Sequence, residues 1–399
     1  MKNEKLWTRD FVFIILINFL VFMNHIMVVS VFPMYLEQVL GLNEAVAGAA
    51  ALGFSLVAVL LRPFIGWLLD QGRRKEILIV GLAGMLLMPL GYLVSDVLAV
   101  AGYALGGAVA LALICRMLHG AALAFSNTSG ATIASDALPQ SRVAEGIGYF
   151  GMATALATSI APALGLLLMN VSYRLFFLTA AVFMVISLAL FAFMHTHQKP
   201  VVRKQPLSLK GLIDADAIPA SVICLVFLFT WGALENFLAD YAIKYDLPSG
   251  GIFFAITAVM LVLTRLIVGR VADQKGEGIF VYTCNAAMLG AFLLLALAPS
   301  NAAFYLAAVL AGYAFGGIEP ALQSMAVHIA PSERRGSANS TFLCAYDIGL
   351  GGGGALAGVL ISAIGYQHMY LSLSMATVLS ALLYVFWGRK HPSSLNYHK

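Results

Sequence analysis

Two carboxylates lie deep inside apolar stretches of this sequence, where a charged group is costly to hold. Glu319 occurs within Gly316-Gly-Ile-Glu-Pro320, and Asp347 comes just before a glycine run. At a rise of about 1.5 Å per residue, both lie about 13–15 Å from the predicted cytoplasmic ends of their helices. This distance places them near the middle of the membrane. A buried carboxyl favours its neutral form, so each is a candidate for proton coupling or substrate binding. The alternative is a structural carboxyl that bonds across helices.

Further polar residues in apolar runs are candidates for the same central cavity. Arg116 has no predicted acid near it in the first half, so its partner is a backbone carbonyl, an acid of the second half or an anionic substrate. Histidine changes charge near neutral pH, which makes His25 a second candidate. For each residue the alternative is an ordinary buried side chain that bonds within its bundle. The candidates besides Glu319 and Asp347 are Arg116, Asn127, His25, Asn24 and Glu235.

The composition predicts an all-α integral membrane protein. Of the 399 residues, 61% are hydrophobic and only 11% are charged, whereas a soluble domain carries about a quarter charged residues. A membrane-spanning helix needs about 20 apolar residues, and twelve such spans are predicted. Their approximate ranges are 11–33, 46–70, 76–95, 103–135, 146–168, 173–193, 217–242, 251–272, 280–298, 302–330, 338–364 and 370–387.

A polar connector divides the spans into two halves. The predicted domains are a six-helix bundle at 1–194, a cytoplasmic connector at 195–216 and a second bundle at 217–399. Of the 23 lysines and arginines, 18 fall on the side that holds both termini, two on the other side and three within spans. Because basic loops stay inside, both termini are predicted to be cytoplasmic.

No pattern in the sequence indicates catalysis, a cofactor or nucleic-acid binding. The net charge of +4 is spread over short loops, and the four cysteines lie in apolar runs without metal-ligand spacing. We therefore predict that the protein is not an enzyme and holds no metal or cofactor.

One motif occurs twice, half a chain apart. Arg62, Gly66 and Asp70 follow the spacing R-x-x-x-G-x-x-x-D, and Arg265 begins a second copy 203 residues later (265 − 62). Positions four apart share one helix face, where glycine lets another backbone approach. Asn127 and Glu319 correspond in a similar way at an offset of 192 (319 − 127). The sequence therefore predicts a duplicated membrane unit.

These features resemble the major facilitator superfamily over nearly the whole chain. The loop Gln71-Gly-Arg-Arg-Lys75 looks like the signature loop of that family, and Arg116-Met-Leu-His-Gly120 looks like its fourth-helix arginine motif. The fifth span follows an antiporter motif typical of the twelve-helix, proton-coupled drug and metabolite exporters. Its matching residues here are Gly148, Ala157, Ala161, Pro162 and Gly165.

The resemblance implies a conformational gate at the cytoplasmic side. Asp70 would meet the start of helix eleven near Gly336, and Asp273 would meet the start of helix five near Glu145, each acid facing a positive helix N-terminus. The small residues of helix five would pack against helix eight. The implied gate residues are Arg62, Gly66, Asp70, Arg73, Arg74, Arg265, Gly269 and Asp273.

By this resemblance the function is proton-coupled export of a small amphipathic drug or metabolite by alternating access. The implied partners are a small-molecule substrate, protons and the lipid bilayer, and the protein would act as a monomer in the inner membrane. The first alternative is a facilitator or importer of an organic anion or a zwitterionic metabolite, because the cavity would be basic beside Arg116 and acidic beside Glu319. The remaining, remote alternative is a membrane sensor that does not transport.

Overall fold

The computed structural model describes residues 5–42, 44–101, 105–194, 212–328 and 330–392. Within these ranges the protein is helical and contains no strand. Eleven helices there are long and apolar enough to cross a membrane. The first ten are α1 Arg9–Gln38, α2 Glu44–Asp70, α3 Arg74–Val100, α4 Leu105–Ala137, α5 Val143–Val171, α6 Tyr173–Ala192, α7 Ile218–Lys244, α8 Gly250–Lys275, α9 Gly278–Leu297 and α10 Asn301–His328.

The last helical stretch, Arg335–Phe386, turns back on itself. Its 52 residues would extend about 78 Å if straight, well beyond the ~30 Å core of a bilayer. Gly365 interrupts it with φ 78° and ψ 172°, a conformation that glycine adopts readily. Before this glycine the chain passes Leu225 of α7, and after it the Ser380 hydroxyl donates to the Ile223 carbonyl of the same helix at 3.2 Å. The two arms are α11, 335–364, and α12, 366–386, so the described residues form twelve spans.

One predicted helix end was wrong for a clear reason. The first span was predicted to end at Pro33, but α1 continues to Gln38 with Pro33 inside it. A proline removes one backbone hydrogen bond, a loss that membrane helices tolerate because neighbouring groups satisfy the freed carbonyl. At its other end α1 begins after Thr8, whose hydroxyl accepts a hydrogen bond from Phe11 N at 3.2 Å.

Two bundles form, and each has its own aromatic core. Helices α1, α4, α5 and α6 pack together with α3, while α7 packs against α10, α11 and α12. Many large apolar side chains remain exposed on the outer surface, as expected for helices that face lipid. The largest buried rings are Tyr35, Tyr92, Phe176 and Phe177 in the first bundle, and Tyr241, Phe292, Phe304 and Tyr370 in the second.

The bundles meet through α2 with α11 and through α5 with α8, with further contacts of α4 and α5. We call the end that holds the α2–α3, α4–α5, α8–α9 and α10–α11 loops the basic end. The sequence predicts that this end is cytoplasmic. All the polar contacts between bundles described below lie between the basic end and the middle of the helices.

Most of the connector, residues 195–211, lies outside the described residues, so the domain boundaries stay predictions. The end of the connector, from residue 212 onward, is bonded to the basic end. Asp214 accepts a hydrogen bond from Ala217 N at 3.2 Å and forms an ion pair with Arg334 at 3.1 Å. Burial raises the pKa of the Asp214 carboxyl, and the charge of Arg334 opposes that rise.

Candidate functional site

The acid of each repeated motif caps a helix of the opposite bundle. The Asp70 carboxylate accepts hydrogen bonds from Gly336 N at 2.7 Å and Ser337 N at 2.9 Å, at the start of α11. These N–H groups have no partner within α11, because the first turn of a helix leaves its donors free. They lie at the positive end of the helix dipole, where a partly buried carboxylate is stabilised by up to about 2 kcal/mol. The contact implied by the resemblance is present, and its role as a gate stays a prediction.

The second copy makes the matching contact at α5. Asp273 accepts hydrogen bonds from Ala144 N at 2.9 Å and Glu145 N at 2.8 Å. The two caps therefore tie α2 to α11 and α8 to α5 by the same geometry. This equivalence is what the duplicated motif predicts.

The motif glycines let the helices approach closely enough for these caps to form. A Cβ added at Gly66 would lie 2.5 Å from Ser340 Cβ and 2.9 Å from the Gly336 carbonyl oxygen. At Gly269 it would lie 2.7 Å from Glu145 N and 2.8 Å from the oxygen of the residue before it. These distances are shorter than van der Waals contact, so a side chain at either position would separate the bundles.

Ion pairs surround both caps at the basic end. Asp136 pairs with Arg74 at 2.7 Å and with Arg335 of α11 at 3.3 Å. Beside the other cap, Glu145 pairs with Arg142 at 2.6 Å and with Arg270 of α8 at 2.9 Å. Both clusters therefore add a link between bundles to the backbone cap.

One predicted gate residue lies outside this network. Arg73 is exposed and has no ion pair in the described part of the chain, whereas its neighbour Arg74 is buried and bonded across the bundles. Arg73 precedes the first residue of α3, where its side chain leaves the interface. Its role in the gate therefore stays a prediction that no contact among the described residues supports.

The motif arginines hold the two acids predicted to lie at mid-depth. Arg62 Nε lies 2.8 Å from Asp347 Oδ2 on α11, across the bundle boundary. Arg62 also donates to the Thr128 hydroxyl at 3.2 Å, and its carbonyl accepts a hydrogen bond from Ser340. The Arg62 side chain is 3% exposed and that of Asp347 is 25% exposed. The sequence did not predict this pairing.

Arg265 pairs with Glu319 on α10, within its own bundle. The Arg265 side chain is 3% exposed and that of Glu319 is 18% exposed. A Cβ added at Gly151 of α5 would collide with the Arg265 guanidinium. Glycine at 151, which the helix-five motif did not include, therefore makes room for this ion pair.

The helix-five motif packs in two directions. Gly148 lies against the carbonyl of Arg265 on α8, as the resemblance implied. Ala157 and Ala161 are fully buried in the first-bundle core, and Gly165 lies against α1. The predicted packing against helix eight is therefore wrong for these three residues. Pro162 is partly exposed within α5.

Asn24 does not line the space between the bundles. Its amide donates to the Ala180 carbonyl of α6 at 2.8 Å and the Met85 carbonyl of α3 at 3.4 Å, and the residue is fully buried. Its placement in the central cavity was therefore wrong, because the polar side chain faces the interior of its own bundle.

Asn127 and Glu235 remain candidates for the space between the bundles. Asn127 is partly exposed, but its neighbour Thr128, which the sequence reasoning missed, makes the contact with Arg62. Glu235 is exposed on α7, close enough to Tyr346 of α11 to interact electrostatically with it.

Arg116 lies in a buried cluster of aromatic and histidine side chains. Its guanidinium carbon is 4.4 Å from the centre of the Phe54 ring and 5.3 Å from that of Phe32. His25 stacks on Phe54 with ring centres 5.1 Å apart. His119 lies one turn along α4 from Arg116 and was not among the candidates predicted from the sequence. The three-residue spacing between the two in the fourth-helix motif already places them on the same helix face.

The two helical bundles, with reciprocal caps at one end, define a membrane transport protein built from a duplicated unit. The chain belongs to the major facilitator superfamily, whose family model matches residues 14–301 and 251–398. It is therefore a multi-pass membrane transporter of small-molecule substrates and not an enzyme.

Relatives and solved structures agree with this assignment. The chain is 21% identical to the staphylopine export protein of Staphylococcus aureus over 86% of this chain and 87% of that protein. It is 25% identical to the uncharacterized MFS-type transporter YhhS of Escherichia coli, over 95% and 92%. A bacterial homologue of the iron transporter ferroportin, solved in an outward-facing state, has a TM-score of 0.83 at 16% identity, over 96% of this chain and 100% of that chain.

Proposed function

We propose that this protein exports a small amphipathic molecule in exchange for protons, by alternating access in the bacterial inner membrane. The proposal places both termini in the cytoplasm, as the distribution of lysine and arginine favours. With that orientation, the closed basic end corresponds to a state that is open to the outside. One relative, the staphylopine export protein, is an exporter by name, which supports export over import.

The observation that carries the proposal is the ion pair between Arg62 and Asp347. It joins α2 of the first bundle to α11 of the second, close to the cap at Asp70. A proton on Asp347 would remove the charge that Arg62 faces, while Thr128 would still accept a hydrogen bond from the guanidinium. Protonation would therefore weaken a bond between bundles, which favours opening of the basic end.

The size of this effect decides what else must contribute. Breaking a fully buried ion pair by removing one partner costs about 3–5 kcal/mol. Because Asp347 is partly exposed, breaking the Arg62–Asp347 pair costs less than this. Reversing a two-state balance from 1:99 to 99:1 requires about 5.5 kcal/mol. A second group must therefore take part in the transition.

Glu319 is the residue that we propose for this second role. Its protonation would release Arg265, whose guanidinium lies against Gly151 of α5. A freed guanidinium would disturb the contact between α5 and α8, beside the cap at Asp273. Protons on the two acids would thus loosen both interfaces between bundles.

The second candidate function is a facilitator or importer of an organic anion or zwitterion. It is favoured by Arg116, a buried cation that has no carboxylate partner among the described residues. This function needs no proton, and the ion pairs would then be structural.

Proton release in everted vesicles distinguishes the two functions. An inside-acid gradient is established, and cations, zwitterions and organic anions are added in turn to vesicles with wild-type protein, Asp347→Asn or Glu319→Gln. Collapse of the gradient by a substrate is the result expected for antiport. It should be lost in both variants and retained in the control Asp240→Asn, which changes an exposed acid of α7. Substrate uptake that leaves the gradient unchanged would replace antiport with facilitated transport.

A further inference from the structure

Three of the buried nitrogen atoms that have no hydrogen-bond partner in the described part of the first bundle belong to one cluster. They are His25 Nδ1, Arg116 Nη1 and His119 Nε2. The rings of His25 and His119 have centres 6.3 Å apart, and both lie beside Phe54. Buried polar atoms are nearly always bonded, so three unsatisfied nitrogens together indicate a group that is missing from the cluster.

One of these atoms is a donor by its chemistry, and a second is a donor in one tautomer. A guanidinium only donates, so Arg116 Nη1 presents N–H groups that lack an acceptor among the described residues. The Tyr92 hydroxyl lies 3.2 Å from His119 Nδ1. In the tautomer in which this hydroxyl donates to Nδ1, the His119 proton is on Nε2, and that N–H lacks an acceptor as well.

The cluster also holds an uncompensated positive charge. Arg116 is 4% exposed and has no carboxylate partner in the described part of the chain. Stacking on Phe54 and Phe32 offsets part of the cost of burying the guanidinium, but an aromatic face does not satisfy the N–H groups of Nη1. An anion with acceptor oxygens would satisfy both needs.

The geometry narrows the class of anion. One guanidinium with a neutral imidazole donor matches a single negative charge spread over two oxygens, as in a carboxylate. The aromatic walls match an apolar body next to that group. His25 is partly exposed while Arg116, His119 and Phe54 are buried, so a ligand that enters the cluster reaches His25 first.

We propose that His25, Arg116 and His119 form a binding site for the carboxylate of an organic anion that has an apolar or aromatic body. The proposal deepens the proposed export function and rests on it for its link to transport. It names the substrate class, and it assigns to Phe54 and Phe32 the walls that receive the apolar body. The packing of Gly120 against the Phe54 backbone places α4 and its two polar residues over this ring.

Direct binding to the purified full-length protein in nanodiscs tests the site without transport. The probes are 2-naphthoate and 2-naphthamide, which share one ring system and differ in charge, together with chloride and inorganic phosphate. We expect naphthoate to bind at least about tenfold more tightly than the amide, a difference typical of one charge-assisted contact. We expect chloride and phosphate to compete only weakly.

Variants locate the binding. Arg116→Met keeps the apolar stem and should remove the preference for the acid, whereas Arg174→Met, which breaks the 3.0 Å pair with Asp96, should retain it. Thermal unfolding separates a binding role from a structural role: Arg116→Met should unfold at the wild-type temperature or above, whereas Arg62→Met, which removes a buried ion pair, should unfold below it. If Arg116→Met does not fold, His119→Leu should weaken naphthoate binding several-fold, while His119→Gln, which keeps an N–H donor, should preserve it.

Four outcomes would overturn the proposal. They are equal binding of acid and amide, no binding of the acid, acid binding unchanged in the variants, and competition by chloride as strong as by naphthoate, which would indicate a site for small inorganic anions only. Failure of proton exchange in vesicles while naphthoate binding persists would remove the antiport function and leave this site in place. Loss of naphthoate binding while proton exchange stays intact would remove this site and leave the antiport function in place.

Discussion

The two copies of the R-x-x-x-G-x-x-x-D motif agree at glycine and aspartate and differ at arginine. Asp70 and Asp273 each cap a helix of the opposite bundle with two backbone hydrogen bonds. Arg62, however, pairs with an acid across the boundary, whereas Arg265 pairs with Glu319 inside its own bundle. The two copies thus share the contacts that join the bundles at the basic end and differ in the ion pairs that their arginines form.

This difference assigns different consequences to the two acids. A change at Asp347 acts directly on the contact between α2 and α11. A change at Glu319 reaches the interface only through Arg265 and its contact with Gly151 of α5. Under the proposed function, the first copy of the motif therefore offers the more direct link between protonation and opening of the basic end.

The largest expected effect comes from removing each arginine. Arg62→Met and Arg265→Met both leave a partly buried carboxylate unpaired, and each should lower the free energy of unfolding by up to about 3 kcal/mol, the low end for buried pairs, because the acids are 25% and 18% exposed. Only Arg62→Met should also speed amide hydrogen exchange at the start of α11. Mass spectrometry of the peptide covering 335–345 measures this, and equal exchange in both variants would refute the difference between the copies.

The next effect tests the feature that the copies share. Gly66→Ala and Gly269→Ala should each destabilise the closed state by about 1–3 kcal/mol through overpacking, as measured by faster exchange at the starts of α11 and α5 respectively. Gly269→Ala should cost more, because its added carbon meets backbone atoms of α5, whereas at Gly66 the nearest atom is a serine side chain.

Gly351→Ala is the matched control, since a Cβ there has no neighbour within 4 Å. An effect of this control equal to that of Gly269→Ala would show that helix propensity, and not close approach, explains the result.

A smaller effect separates the two caps. Asp70→Asn should weaken the cap on the α11 amides and Asp273→Asn the cap on the α5 amides, each at a cost of about 1–2 kcal/mol. Asparagine keeps one acceptor oxygen, now neutral, and places an NH2 donor where the second carboxylate oxygen accepted a hydrogen bond. Hydrogen exchange of the two peptides in both variants gives four rates. If either variant accelerates both helix starts equally, the caps do not act separately.

The smallest effect concerns the exposed ion pair beside the second cap. The Arg270 side chain is 62% exposed, so solvent screens its attraction to Glu145. Arg270→Gln should therefore lower the thermal unfolding temperature no more than Arg73→Gln does. Arg73 is the exposed arginine before α3 that has no ion pair in the described part of the chain. A loss comparable to that of Arg62→Met would mean that this pair holds the gate.

The sequence by itself determined the membrane class, the twelve spans and the duplication, and its resemblance to a known family implied the partners of the two motif acids. Apolar run lengths fix spans, because a bilayer has a fixed thickness. Residues spaced four apart lie on one helix face, so the shared face of Arg62, Gly66 and Asp70 was predictable.

Only the tertiary structure decided which neighbour each of those faces meets. Spacing along one helix says nothing about how far that helix is rotated toward another, so the Arg62–Asp347 pair and the role of Gly151 were missed, and Asn24 was assigned to the wrong side of its helix. The contact between His25 and His119 arises in the same way, because α1 and α4 bring together residues whose sequence positions carry no record of their contact. Only the shared face of Arg116 and His119 follows from their spacing within α4.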